Sequence, residues 1–231
     1  MELLKIQNVK KVYTTKLGLV QCVALKNVSF TVLEGEFVAI MGASGSGKTT
    51  LLNIIGCLDG FDSGSYLLNG QPVEKMGDRR LAAIRNREIG FVIQDFALIA
   101  KEDVLFNVML PLYFSRTGTA KMKRLAQDTL ELVGLADQAG KKVSQLSGGQ
   151  KQRVAVARAL VSGGGILLAD EPTGALDSVT GRGIMELISR INSERGTTVV
   201  LITHDAEVAS YARRRIALSD GAVISDGAGD L

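Results

Sequence analysis

Tryptophan is absent from this chain, histidine occurs once and cysteine only twice. Cys22 and Cys57 stand far apart and form no CxxC pair, which argues against a thiolate metal site or a disulfide framework. Two buried free thiols are the expectation. Apolar residues make up 46% of the 231, enough for a substantial core. Yet no apolar run reaches the roughly 18 residues that a membrane-spanning helix needs. The opening residues, Met1-Glu2-Leu3-Leu4-Lys5, lack the long apolar region of a secretory signal, so a soluble, cytosolic chain is expected. Basic residues are not gathered either. The net charge is +3, and the densest basic run, Arg213-Arg214-Arg215, is expected to be a solvated element end. A nucleic-acid footprint would need basic residues concentrated on one face, so no nucleic-acid partner is expected. Repeats, low-complexity tracts and long linkers are missing too.

What is present reads as one large α/β domain with an inserted lobe. Leu4 to Val12 is a mixed strand, and Val28, Phe30 and Val32 alternate with polar residues before a Glu34-Gly35 turn. Phe37 to Met41, Gly90 to Ile93, Ile166 to Ala169 and Val199 to Ile202 are short, nearly continuous apolar runs, the pattern of parallel strands buried on both faces. Gly64 to Asn69 resembles a further short strand. Helical stretches are expected from Lys48 to about Leu58, over Lys151 to Val161 and from about Ser178 to Arg195. Strands alternating with helices imply a mostly parallel sheet with right-handed crossovers. Between about 94 and 162 the pattern turns helical: Val104 to Leu112, broken by Pro111, and Lys121 to Val133. This fits a helical lobe set into a core of about 1–93 and 163–231.

The sequence Gly42-Ala43-Ser44-Gly45-Ser46-Gly47-Lys48-Thr49 satisfies G-x-x-x-x-G-K-[ST] in full, and it follows an apolar strand and opens a helix, the context the motif requires. The loop's N–H groups form an anion nest, and Lys48 reaches phosphate oxygens as a point charge. Gly42, Ser44, Gly45, Ser46, Gly47, Lys48, Thr49 and the adjoining Thr50 are therefore candidate nucleotide contacts. The Thr49 hydroxyl is a candidate Mg²⁺ ligand.

Four further features accompany the loop, each with two readings. Asp170 and Glu171 end an apolar strand and so reach the carboxyl edge of the sheet, where ligands of open α/β folds bind. Asp170 suits Mg²⁺, which prefers oxygen ligands, and Glu171 suits a general base for water; the other reading is an exposed turn before Pro172. His204 ends the strand Thr198 to Thr203 at the same edge, either as a structural residue or as a contact to the γ-phosphate that holds water and Glu171 in place. Gln94 ends the strand Gly90 to Ile93, either as a polar strand end or as a sensor of Mg²⁺ or water that moves the lobe. Tyr13 is either a half-buried strand residue or an aromatic face on which adenine stacks.

Leu146-Ser147-Gly148-Gly149-Gln150 opens the helix over Lys151 to Val161. Its N–H groups and partial positive charge bind phosphate readily, and glycine lets the backbone come close. The alternative is a solvated loop in which Ser147 merely caps the helix.

In this order the motifs resemble the nucleotide-binding subunit of ATP-binding cassette (ABC) transporters over essentially the whole chain. The combination is specific: the phosphate loop, Gln94, Leu146 to Gln150, Asp170-Glu171, Gly174-Ala175-Leu176-Asp177 and His204. The resemblance implies a P-loop ATPase fold with an antiparallel N-terminal β subdomain. It implies ATP and Mg²⁺ as bound species, and a permease as partner on the cytoplasmic face of the membrane. It also implies two copies closing head to tail around two ATP molecules, so that Ser147, Gly148, Gly149 and Gln150 act on the other copy's nucleotide. Asp177 then lies in a loop crossing that interface, and Tyr13 serves as adenine platform. Asn53 to Asp59 and Asp170 to Ser178 look like the macrolide-export (MacB-like) and antimicrobial-peptide-resistance branch, with lipoprotein-release and cell-division ATPases as relatives. Ile93 stands where that branch usually has Phe, and Ala100 to Phe106 departs from its usual segment, which leaves partner and cargo open. Gly163-Gly164-Gly165 is expected only to loosen a surface turn. The rival is a soluble cassette ATPase switching a non-transport partner, of iron–sulfur assembly or cell-division type.

Overall fold

A computed structural model describes residues 1–14, 20–115 and 117–228. The chain opens with two long strands, β1 (Glu2–Thr14) and β2 (Val20–Leu33), followed by β3 (Phe37–Met41) and helix α1 (Lys48–Ile55). Next come β4 (Ser63–Leu68), β5 (Gln71–Pro72), α2 (Asp78–Arg87) and β6 (Ile89–Ile93). The lobe helices α3 (Val104–Met109) and α4 (Thr119–Leu132) precede α5 (Gly148–Leu160) and β7 (Ile166–Asp170). The remainder is α6 (Ser178–Arg195), β8 (Thr198–Thr203), the short α7 (Ala206–Ala209), β9 (Arg214–Ser219) and β10 (Ala222–Gly227).

Two sheets result. An antiparallel one runs β2-β1-β4-β5, and a six-stranded one runs β10-β9-β3-β8-β7-β6. In the second, β9, β3, β8, β7 and β6 are mutually parallel and only β10 is antiparallel. The apolar runs are continuous because both faces of this sheet are covered. Successive residues serve different cores. Val38, Ile40, Ile166, Leu168, Val200 and Ile202 pack with α1 and the antiparallel sheet, while Phe37, Ala39, Leu167, Ala169, Val199 and Leu201 pack with α5, α6 and the lobe helices.

Local differences from the expected elements have identifiable causes. The first helix stops at Ile55, where the chain leaves helical geometry as Cys57 turns left-handed at φ 55°; Gly56 lies so near the Phe91 ring that a Cβ would meet it at 2.3 Å. The segment at Pro111 is a 3₁₀ turn, Leu110–Phe114, so α3 ends at Met109. Gly163 to Gly165 does more than loosen a turn, since a Cβ on Gly164 would sit 2.7 Å from the Glu88 backbone carbonyl. The arginine run is not merely a solvated end. Arg214 is partly buried and donates to the Thr31 carbonyl (2.8 Å), Glu36 (3.0 Å) and Asp226 (2.6 and 2.7 Å), joining both sheets. Cys57 is buried, and burial pushes its thiol up to about 11, but Cys22 is exposed, contrary to expectation.

Candidate active site

Register brings the site together. Ile93 of β6 pairs with Asp170 of β7, Asp170 with Ile202 of β8, and Thr203 with Met41 of β3. Four strands thus end level, and the residues that follow them emerge along one carboxyl edge, where α/β folds bind ligands. A cleft of about 680 Å³ opens there, lined by Tyr13, Lys48, Thr49, Gln94, Asp170, Glu171 and His204 among others. Ser44, Gly45, Gly47 and Thr50 also face it. Gly42 and Ser46 belong to the same loop without lining the cleft.

The phosphate loop folds as a nest because its glycines allow it. Gly47, the residue before α1, has φ 102°, and a Cβ there would stand 2.5 Å from the Ala24 carbonyl. Alanine at this position would be both strained and obstructed. Gly47 gives α1 no side-chain cap, so among the described residues the amides of its first turn have no capping side chain. Lys48 is nearly buried and its ammonium donates to the Gly42 and Ala43 carbonyls at 2.7 and 2.8 Å.

Glu171 is fixed from β8. Its Oε2 accepts from the Thr203 hydroxyl at 3.1 Å, and its Oε1 accepts from the His204 backbone N–H at 3.0 Å. The His204 Nδ1 lies 2.6 Å from the same Oε1, while the ring itself is largely exposed to the cleft. Glu171 holds φ 44°, a left-handed conformation uncommon outside glycine that costs about 1–3 kcal/mol. Thr203, fully buried, is a member of the site beyond those expected from the sequence; its signal there is a polar residue closing an apolar strand just before the lone histidine. Beside Glu171, burial holds Asp170 above the ordinary carboxylate range, the charge of Glu171 adds to this, and Lys48 opposes it.

Gln94 is exposed, and a Cβ on Gly174 would meet its side-chain amide at 3.0 Å, so Gln94 lies along the turn that follows Glu171. Tyr13 is 37% exposed at the cleft rim, and its hydroxyl donates to Asp59 at 2.9 Å. Burial pushes Asp59 upward, but hydrogen bonds from Lys11 and Tyr13 outweigh it and leave the carboxyl below its ordinary value. The tyrosine ring is thereby held at its rim while the rest stays accessible.

Ser147 to Gln150 and Asp177 do not line this cleft. Ser147 caps α5: its hydroxyl accepts from Gln150 N–H at 3.3 Å, and the Gln150 carboxamide accepts from Ser147 N–H at 3.0 Å. Asp177 caps α6 by accepting from the N–H and hydroxyl of Thr180 at 3.0 and 2.6 Å, which holds its carboxyl below the ordinary range. Gly148 and Gly149 pack beside these residues, since Cβ atoms there would meet Leu176 at 3.2 Å and Thr180 at 2.4 Å. The two loops form one surface separate from the cleft.

Residues 25–174 match the family profile described as "ABC transporter". The uncharacterized ABC transporter ATP-binding protein YvrO of Bacillus subtilis (strain 168) is 47% identical over 229 residues, covering 99% of each chain. The macrolide export ATP-binding/permease protein MacB of Syntrophobacter fumaroxidans is 44% identical over 225 residues. That match covers 96% of this chain but 31% of the relative, so the chain spans about a third of that longer protein. Among solved structures, a dimeric post-hydrolysis ATP-binding cassette bound to ADP and phosphate is 45% identical, covers 97% of this chain and 98% of its own, and superposes with a TM-score of 0.87.

Proposed function

The chain belongs to the ABC transporter family, and on that premise we propose that it hydrolyses ATP, with Mg²⁺, to drive a separate membrane permease. The names of its relatives favour export, whether of a drug, a peptide or a membrane-associated cargo. No helix among the described residues is long and apolar enough to cross a membrane, which agrees with a peripheral place on the cytoplasmic face of a permease. The observation that carries the reading is Glu171: a carboxylate at the phosphate loop's cleft, fixed by the Thr203 hydroxyl, the His204 amide and the His204 ring.

In this reading the loop amides and Lys48 receive the β- and γ-phosphates, and the ammonium exchanges the Gly42 and Ala43 carbonyls for phosphate oxygens. Tyr13 stacks on adenine. Glu171 accepts the proton of the attacking water, and His204 keeps the carboxylate aimed while its exposed ring faces the γ-phosphate. The Thr49 hydroxyl, the Gln94 carboxamide and the Asp170 carboxylate make an all-oxygen set in one cleft, which fits Mg²⁺. No cluster of three or more His, Cys, Asp and Glu side chains suited to another metal occurs among the described residues. The ion, when bound, offsets phosphate charge.

The lobe, about 94–162, would carry the Ser147 loop onto the nucleotide of a second copy, with Asp177 of the core beside it at the interface; the place of Ser147, Gly148, Gly149, Gln150 and Asp177 outside their own chain's cleft supports this reading. The core of about 1–93 and 163–231 would hold the nucleotide. Glu171→Gln tests both halves. Hydrolysis should fall by at least about a hundredfold, the lower range for removing a general base, while ATP binding persists and the chain elutes as a dimer with saturating ATP. Near-normal hydrolysis, or a monomer under those conditions, would sink the scheme.

A further inference from the structure

Gln94 and Glu171 stand at the ends of different strands, and left-handed backbone made by residues other than glycine lies just beyond the first and at the second itself. Phe96 and Ala97, just beyond Gln94, have φ 59° and 46°, and Glu171 itself has φ 44°. Such conformations persist only where surrounding groups hold them. Both kinks are gripped by side chains of the same helix. Arg158 of α5 donates through Nη2 to the Phe96 carbonyl at 2.8 Å and through Nη1 to the Ala97 carbonyl, using the guanidinium fork on two successive residues. Gln152 of α5 is fully buried, and its Nε2 donates to the carbonyl of Pro172, the residue after Glu171, at 2.6 Å. Proline offers no N–H, so only the amino end of the carboxamide can serve there. The other end, Oε1, has no partner among the described residues, which leaves the Pro172 bond as the reason for a polar side chain at this depth.

The two grips are six residues apart, about 240° around a helix of 3.6 residues per turn. They therefore leave α5 on different sides, toward β6 and toward the end of β7. Val154, Ala155, Val156 and Ala157 between them are fully buried, so the helix moves as one body.

We propose that α5 sets the positions of Gln94 and Glu171 together, with Arg158 and Gln152 as its positioning residues. Because Ser147 begins the same helix, a contact made by Ser147 outside its own cleft is transmitted to both groups inside it. This last step rests on the proposed ATPase function and on Ser147 facing a second copy.

The test is a pair of double-mutant cycles in the intact chain, with rates normalised to ATP-binding sites. Gln152→Met and Arg158→Met should each lower kcat about tenfold and leave KM within about twofold, since misplacing a reacting group slows chemistry without touching the nucleotide contacts. In a Glu171→Gln background, Gln152→Met should add less than about a twofold loss, and Arg158→Met likewise with Gln94→Ala, because coupled residues are not additive. Arg158→Lys should recover part of the rate. Arg190→Met, which removes a comparable bond to the Leu132 carbonyl (3.1 Å) away from the cleft, should leave kcat unchanged. Multiplicative losses in the double variants would overturn the proposal, because the effect would not pass through Glu171 or Gln94. So would losses explained entirely by fewer binding sites. Slow Glu171→Gln with normal Gln152→Met would defeat this inference and spare the general-base reading. Normal Glu171→Gln would defeat that reading, and a slow Gln152→Met beside it would defeat this one as well.

Discussion

Two helices of this chain begin at glycine-rich loops, and they end their first turns in opposite ways. At α1 the residue before the helix is Gly47, with no side chain to offer, and among the described residues the first amides have no capping side chain. At α5 Ser147 and Gln150 satisfy one another's backbone in a closed, reciprocal cap. The first terminus leaves its amides without a side-chain partner, as an anion-binding role requires. The second is complete in the single chain, and any role with phosphate must use what the cap leaves over: the remaining face of the Ser147 hydroxyl and the amides of Gly148 and Gly149. Equal glycine content therefore does not mean equal function; the side chain at the cap decides whether a terminus binds outward or inward.

Lys48→Ala should give the largest contrast. Charged hydrogen bonds to phosphate are worth about 1.5–3 kcal/mol each, so ATP affinity should drop by about two orders of magnitude in a nucleotide titration. The fold should survive, because the lost bonds in the free chain reach only two carbonyls of the loop itself, those of Gly42 and Ala43. Ser147→Ala should behave differently on both counts. Loss of the cap should lower unfolding stability by about 1 kcal/mol and leave nucleotide binding to a single chain intact. Hydrolysis should still fall, about tenfold, if the hydroxyl contributes one charged hydrogen bond to the other copy's nucleotide. An intact rate at full occupancy would reduce Ser147 to a cap alone.

The smallest effect is expected at Asp170. Its folded-state value lies above the ordinary one, chiefly through burial and then through Glu171, so the folded chain holds that proton more tightly than the unfolded chain does. Stability from this group is therefore complete below about pH 4 and is lost as pH rises through the folded value. Asp170→Asn should raise the Tm of the nucleotide-free protein near neutral pH, and that advantage should vanish toward about pH 4. A Tm difference that grows on acidification would contradict the assigned direction.

The central sheet was legible because its strands are buried on both sides and leave unbroken apolar runs: Phe37 to Met41, Ile166 to Ala169, Val199 to Ile202. The phosphate loop was legible because its chemistry demands fixed residue types at fixed spacing. By contrast, β9 opens with Arg214, whose charge is met by Glu36 and Asp226, partners 178 and 12 residues away in sequence. Helix α2 buries only Ile84, so it carries little apolar periodicity. The reciprocal cap at Ser147 was one of two readings that spacing alone left standing. The grip of Gln152 on Pro172 depends on register and depth, which no local pattern records. Cys22 was expected inside but faces the cleft rim, because a small, weakly polar side chain fits either environment.

The alternation of β3, β7 and β8 between two cores has a mechanical consequence. The sheet is a bulkhead one residue thick, and neighbouring side chains on a strand answer to different compartments. The helix that carries Lys48 is packed wholly on one side, and α3 and α4 wholly on the other. Packing strain from α3 or α4 is therefore taken up first on their own side of the sheet, and reaches the helix that carries Lys48 only after crossing it.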